Sequence, residues 1–116
     1  MQMNDCLFCK IIRGEIQAKR VFENEKVVGF LDIHPLAKVH VLFIHKYHTA
    51  NMNELTRHHP EQLVELFSAV AEYSQEHNLE QSGVRLVINI GRDAGQSVFH
   101  THIHLLSGER LGQFGA

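Results

Sequence analysis

No run of apolar residues in this chain approaches the ~18 that a membrane-spanning helix needs. The first residues, Met1-Gln2-Met3-Asn4-Asp5, carry no basic segment ahead of an apolar one, so a secretory leader is disfavoured and cytoplasmic residence is expected. Cysteine is scarce. Cys6 and Cys9 are the only two, and the loop between them is too tight to staple a domain, which rules out a disulfide scaffold. Metal, redox or packing roles remain open for the pair. Basic charge is not in excess either: 11 Lys and Arg lie scattered against 13 Asp and Glu. A polynucleotide binder gathers such charge into a patch or stripe, so a polynucleotide partner is disfavoured while a single nucleotide is not. Internal repeats and low-complexity tracts are absent. At 116 residues the chain can bury roughly two thirds of its unfolded surface around one core, and residues 1–116 read as a single domain.

What the chain holds in quantity is histidine, with ten. Imidazole is a frequent metal ligand and the side chain that titrates nearest neutral pH, so the elements carrying these residues matter. Asp5 is a good N-cap, and Leu7, Phe8, Ile11 and Ile12 follow at helical spacing up to Gly14, predicting a short helix from about Cys6 to Arg13. Val21–Glu23, a turn at Asn24-Glu25, and Lys26–Leu31 predict a β-hairpin. Val39–Ile44, rich in β-branched and aromatic residues, suits a strand covered on both faces, and it carries His40. From Pro60, Leu63, Leu66, Phe67, Val70 and Tyr73 recur every three or four positions, which predicts the one long helix, with Glu61, Gln62, Glu65, Glu72 and Gln75 solvated. Val84–Ile90 and Val98–Leu106 are the last strands, joined by the loop Gly91–Gly95. Short connections favour antiparallel pairing. The class is α+β, an antiparallel five-stranded sheet with one long helix and a short N-terminal helix.

On a strand, His100, His102 and His104 would project from one face, ~6 to 7 Å apart along it. Burying imidazole costs free energy unless its nitrogens find partners, so such a face is poor core material. A three-histidine metal site and catalysis by imidazole are the two chemical readings. Three bonds of ~2.0 to 2.1 Å from one straight strand are awkward, which favours catalysis. Just upstream, Gly95-Gln96-Ser97-Val98 offers backbone N–H groups and two polar side chains suited to phosphoryl oxygens; a plain turn would use the same residues. Cys6-X-X-Cys9 on a helix places both sulfurs on one side, as metal ligation requires, although packed thiols would look the same.

The segment Gly95-Gln96-Ser97-Val98-Phe99-His100-Thr101-His102-Ile103-His104-Leu105-Leu106 resembles the alternating histidine signature of histidine triad proteins, and within them the Hint branch. Thr101 departs from it at a hydrophobic position. The resemblance extends to Cys6–Ile16, Phe30–Ile33 and His40–Ile44, and so across nearly the whole chain. It implies a homodimer that hydrolyses or transfers the nucleotidyl group of a purine nucleoside 5′-phosphoramidate or similar adenylate. It implies that His102 attacks phosphorus, that His104, His40 and His100 support it, and that Asn89, Gln96, Ser97 and Val98 lie on the phosphate side. Asp32 matches a ribose-hydroxyl acceptor, and Phe8, Ile11, Phe30 and Ile33 match an apolar base pocket; core packing would explain the same four side chains. Some relatives bind zinc through the cysteine pair and two histidines, which map to His48 and His100, so a structural Zn²⁺ is expected and no cofactor for the chemistry itself. A dinucleoside polyphosphate hydrolase and a non-catalytic nucleotide- or zinc-binding regulatory module are the rival readings. Departures are His45-Lys46-Tyr47-His48 in place of Pro-Lys-X-His, Ala37-Lys38 in place of Ala-Pro, and a tail from Gly108 without the tryptophan some relatives end on. His34, His45, His58, His59 and His77 match no role and read as surface or loop residues.

Overall fold

The structure is a computed structural model that describes residues 5–113; the first four residues and the last three of the tail lie outside the described part. Its elements are α1 (Leu7–Ile12), β1 (Arg20–Glu23), β2 (Val27–Leu31), β3 (Val39–His45), α2 (Met52–His58), α3 (Glu61–Glu76), β4 (Arg85–Val87) and β5 (His102–Ser107). The strands form one antiparallel sheet in the order β1-β2-β3-β5-β4. This is the expected α+β class, with β3 at the centre and buried on both faces.

Strand alternation divides the core in two. Val27, Val41, Phe43, Ile103 and Leu105 face α2 and α3, where Leu55, Leu66, Val70 and Tyr73 meet them. Val28, Phe30, Leu42 and Ile44 face the other way and are covered by Phe8 and Ile11 of α1. Gly29 is needed where it stands, because a Cβ there would lie 2.9 Å from the Phe43 ring and 3.2 Å from Phe22.

Several elements differ from the sequence-based expectation, each for a local reason. Cys6, not Asp5, caps α1, its Sγ accepting the Cys9 N–H at 3.4 Å. Helix α2 was not anticipated. Its signal is Asn51-Met52-Asn53-Glu54, in which the Asn51 side chain accepts the Glu54 N–H at 2.9 Å and Glu54 reaches back to the Ala50 N–H at 2.6 Å, a near relative of the capping box. On α3, Gln62 is buried rather than solvated, and Glu65 meets a histidine of the sheet. Strand β4 keeps only three residues, and β5 starts at His102 instead of Val98. Between them Gly91 and Gly95 take positive φ, and the chain from Gln96 to Thr101 bonds to Thr49 and Ala50 instead of to β4.

Replacing Asn51 with Ala removes the α2 cap and should lower stability by about 1 kcal/mol, read as a shift in the denaturation midpoint at unchanged slope. An unchanged midpoint would count against this capping role.

Candidate active site and metal centre

The register of β3 against β5, Leu42 opposite His104 and Ile44 opposite His102, places His40, His102 and His104 on the sheet face covered by α1. Their hydrogen bonds fix the tautomers in sequence. His102 Nδ1 lies 2.7 Å from the His100 carbonyl oxygen, to which only an N–H can donate, so its proton sits on Nδ1 and Nε2 keeps a free lone pair. His40 Nδ1 accepts the Leu36 N–H at 3.0 Å, which puts the His40 proton on Nε2. That N–H donates to His104 Nδ1 at 3.0 Å, with Asp32 Oδ2 3.5 Å from the same nitrogen. His104 therefore carries its proton on Nε2, in a ring whose centre is 5.1 Å from that of His102. Asp32, His40 and His104 group closely enough to suggest a cation site, but with its proton on Nε2 and Nδ1 engaged by Leu36, His40 has no lone pair to give one.

Burial keeps all three rings neutral. It depresses His102 and His40, with Asp32 opposing in part, and it lowers His104 to about 4, reinforced by His102 and His40.

His100 parts company with its two neighbours. It precedes β5 rather than sharing its alternation, and its ring turns toward the cysteines. His100 Nε2 donates to the His45 carbonyl at 2.9 Å, which leaves Nδ1 as the unprotonated nitrogen. That nitrogen stands 3.4 Å from Cys6 Sγ, 3.6 Å from Cys9 Sγ and 3.2 Å from His48 Nδ1; His48 Nδ1 is 3.3 Å from Cys9 Sγ. A tetrahedral ion with bonds of ~2.0 to 2.3 Å holds its ligands roughly 3.3 to 3.8 Å apart. The Cys₂His₂ set thus fits zinc in donor chemistry and in spacing. Burial, with Cys6 beside it, pushes the Cys9 thiol up to about 11, and burial takes His100 down to about 4. A cation bound here would reverse the thiol preference.

The remaining predicted residues are dispersed. Asp32 Oδ1 accepts the His34 N–H at 2.8 Å, which braces the carboxylate. Phe8, Ile11 and Phe30 are core residues, Phe8 standing edge-on to Phe30 at 5.4 Å and to His102 at 5.1 Å. Ile33 is not gathered with them: it is 83% exposed on the loop after β2, as is Leu36 at 81%. Asn89 is half-buried, Ser97 is exposed, and Val98 packs against the α1-side core. Gln96 turns inward. Its Oε1 accepts the Gly91 N–H at 2.8 Å, and its Nε2 donates to the Ala50 and Val98 carbonyls at 2.7 and 3.1 Å, so both amide hydrogens serve the loop rather than a phosphate.

Three residues matter more than the sequence indicated. His45 is buried at the end of β3, not on a surface; its Nδ1 accepts the Tyr47 N–H and its Nε2 donates to Glu65 of α3 at 2.7 Å. Thr49 and Thr101 are buried with their hydroxyls 2.6 Å apart, and the Thr101 N–H donates to the Thr49 carbonyl at 2.9 Å. That last bond fixes the peptide plane whose carbonyl anchors His102. Thr101 at a hydrophobic position was the available signal; nothing local marked Thr49.

Comparison with known proteins gives the family and supports the fold. Residues 13–111 match the HIT domain family. An uncharacterized HIT-like protein of Helicobacter pylori is 39% identical over 90% of this chain and 97% of its own length. The purine nucleoside phosphoramidase of Escherichia coli is 34% identical over 93% and 91%. Among solved structures, a HIT family hydrolase from Clostridium thermocellum superposes with a TM-score of 0.89 at 38% identity, covering 97% of both chains, and a histidine triad protein from Clostridium difficile gives 0.92 at 32%, covering 98% and 99%. The chain belongs to the HIT family.

The buried imidazoles carry a pH consequence. His100 and His104 titrate at about 4 when folded and near 6.5 when unfolded, so between these values the unfolded chain binds more protons. Stability is therefore full above about 6.5 and falls as the pH drops toward 4. Thermal unfolding from pH 7 to pH 4 in a chelator should show this decline, with a shallower slope for His104→Asn. Parallel slopes would show that His104 does not contribute.

Proposed function

We propose that this protein is a hydrolase of purine nucleoside 5′-phosphoramidates or related acyl-adenylates, working through a covalent nucleotidyl intermediate on His102. One observation carries the reading: the bond from His102 Nδ1 to the His100 carbonyl leaves Nε2 as an unprotonated nucleophile at neutral pH. His102 Nε2 attacks the α-phosphorus, the P–N bond breaks, and the leaving amine takes the electron pair and a proton from solvent, which the water of the second step returns. Water then cleaves the nucleotidyl-histidine, releasing the nucleoside monophosphate and the neutral ring. His104, its Nδ1 tied to His40, offers its Nε2–H to the charge growing on a phosphoryl oxygen. The Asp32 carboxylate is braced to accept ribose hydroxyls, and Ile33 and Leu36 present apolar surface for a flat base. The name of the Escherichia coli relative supports the substrate class.

Cys6, Cys9, His48 and His100 would hold a structural zinc ion that fixes the segment leading into β5 and takes no part in bond breaking. Residues 1–116 act as one domain in the cytoplasm, and among the described residues no helix is long and apolar enough to cross a membrane. Two copies pair through the β4 edge, where Leu86 and Phe67 expose apolar surface side by side.

Hydrolysis of adenosine 5′-phosphoramidate is the direct test. Wild type should turn over in EDTA, and His102→Ala should lose on the order of 10⁴-fold or more in kcat. Because burial lowers His102 below the ordinary imidazole value, the acid limb of the rate profile should fall below pH 6.5. A wild-type chain that binds AMP yet hydrolyses nothing would leave a binding module instead.

A further inference from the structure

The second histidine of the Cys₂His₂ cluster has an unfinished hydrogen-bond account. His48 turns Nδ1 toward Cys9 and His100, so Nε2 lies on the far side of the ring. An imidazole that ligates through Nδ1 carries its proton on Nε2. That nitrogen is buried and finds no hydrogen-bond partner among the described residues. Its counterpart on His100 has one, the His45 carbonyl.

The space beside His48 is not filled by protein. A cavity of about 320 Å³ is lined by His48, Glu54, Tyr47 and His59, among others, and a water needs only ~10 to 15 Å³ of such space. Glu54 uses one carboxylate oxygen on the Ala50 N–H at 2.6 Å, which leaves the other free to accept. Tyr47 and His59, in edge contact at 4.8 Å, form another wall.

We propose that Glu54 is the outer anchor of His48: a water in this cavity accepts the His48 Nε2–H and donates to the free Glu54 oxygen, holding the ring with Nδ1 aimed at the metal. The proposal rests on the metal reading of the cluster. Glu54 is a positioning residue, tied to the first turn of α2, so the second helix takes part in setting the geometry of the zinc ligands.

Glu54→Gln tests it, because glutamine keeps an oxygen for the Ala50 N–H and puts an amide donor where the second acceptor was. Zinc affinity, measured by competition with a chromophoric chelator, should fall by about 10- to 100-fold. The absorption bands of the cobalt(II)-loaded chain should shift, and the melting temperature of the metal-free chain should stay unchanged. Equal zinc affinity in the variant and wild type overturns the role of Glu54 while the metal site stands. A loss of affinity matched by a loss of metal-free stability overturns it too, by giving Glu54 a structural part alone. If wild type takes up no zinc, the metal reading fails and the proposal with it.

Discussion

A buried imidazole must place both of its ring nitrogens, and His100 is where that requirement ties this fold together. Its Nε2–H goes to the carbonyl of His45 at the end of the central strand, its Nδ1 to the cysteine cluster, and its own carbonyl to the ring of His102. His45 is in turn held by Glu65 on the long helix. The orientation of the candidate nucleophile thus descends, through one residue, from the packing of the sheet on α3 and of α1 on the sheet's end. The cysteine–histidine cluster and the candidate catalytic rings hang on the same anchored segment.

Burial also determines what kind of site this is. Rings held neutral would not attract a phosphate as cations, so under the proposed function recognition falls to N–H dipoles set by the relay from Leu36 through His40 to His104. Preoriented donors of this kind lose little in reorganising when charge appears on a phosphoryl oxygen. The near balance of acidic and basic residues along the chain accords with a site that does not depend on a field of positive charge.

Much of this was legible in the sequence where periodicity governs. The hairpin, the doubly buried strand at Val39, the long helix and the shared face of His102 and His104 all follow from spacing. The expectations that failed depended on contacts distant in the chain. His100 looked like a strand residue because its neighbours alternate, but Gln96 and Thr101 bond to residues some 50 positions earlier and delay the strand. His45 looked like a loop histidine because its partner, Glu65, lies on another element. For Ile33 it is the core-packing alternative that fails, since the strand ends at Leu31 and the loop carries Ile33 outward. Helix α2 was legible in principle: its Asn51-X-X-Glu54 cap is a local signal that periodicity alone does not weigh.

The two threonine hydroxyls sealed between the loop at 49 and the entrance to β5 bear on how such a sequence can change. Thr101 alone replaced by an aliphatic residue strands the Thr49 hydroxyl in a dry interior, whereas Thr49 alone replaced leaves the Thr101 hydroxyl its bond to the backbone carbonyl of residue 49 at 3.2 Å. The two positions are coupled unequally. A lineage that changes position 49 first keeps its buried hydroxyl bonded, whereas one that changes position 101 first passes through a less stable intermediate.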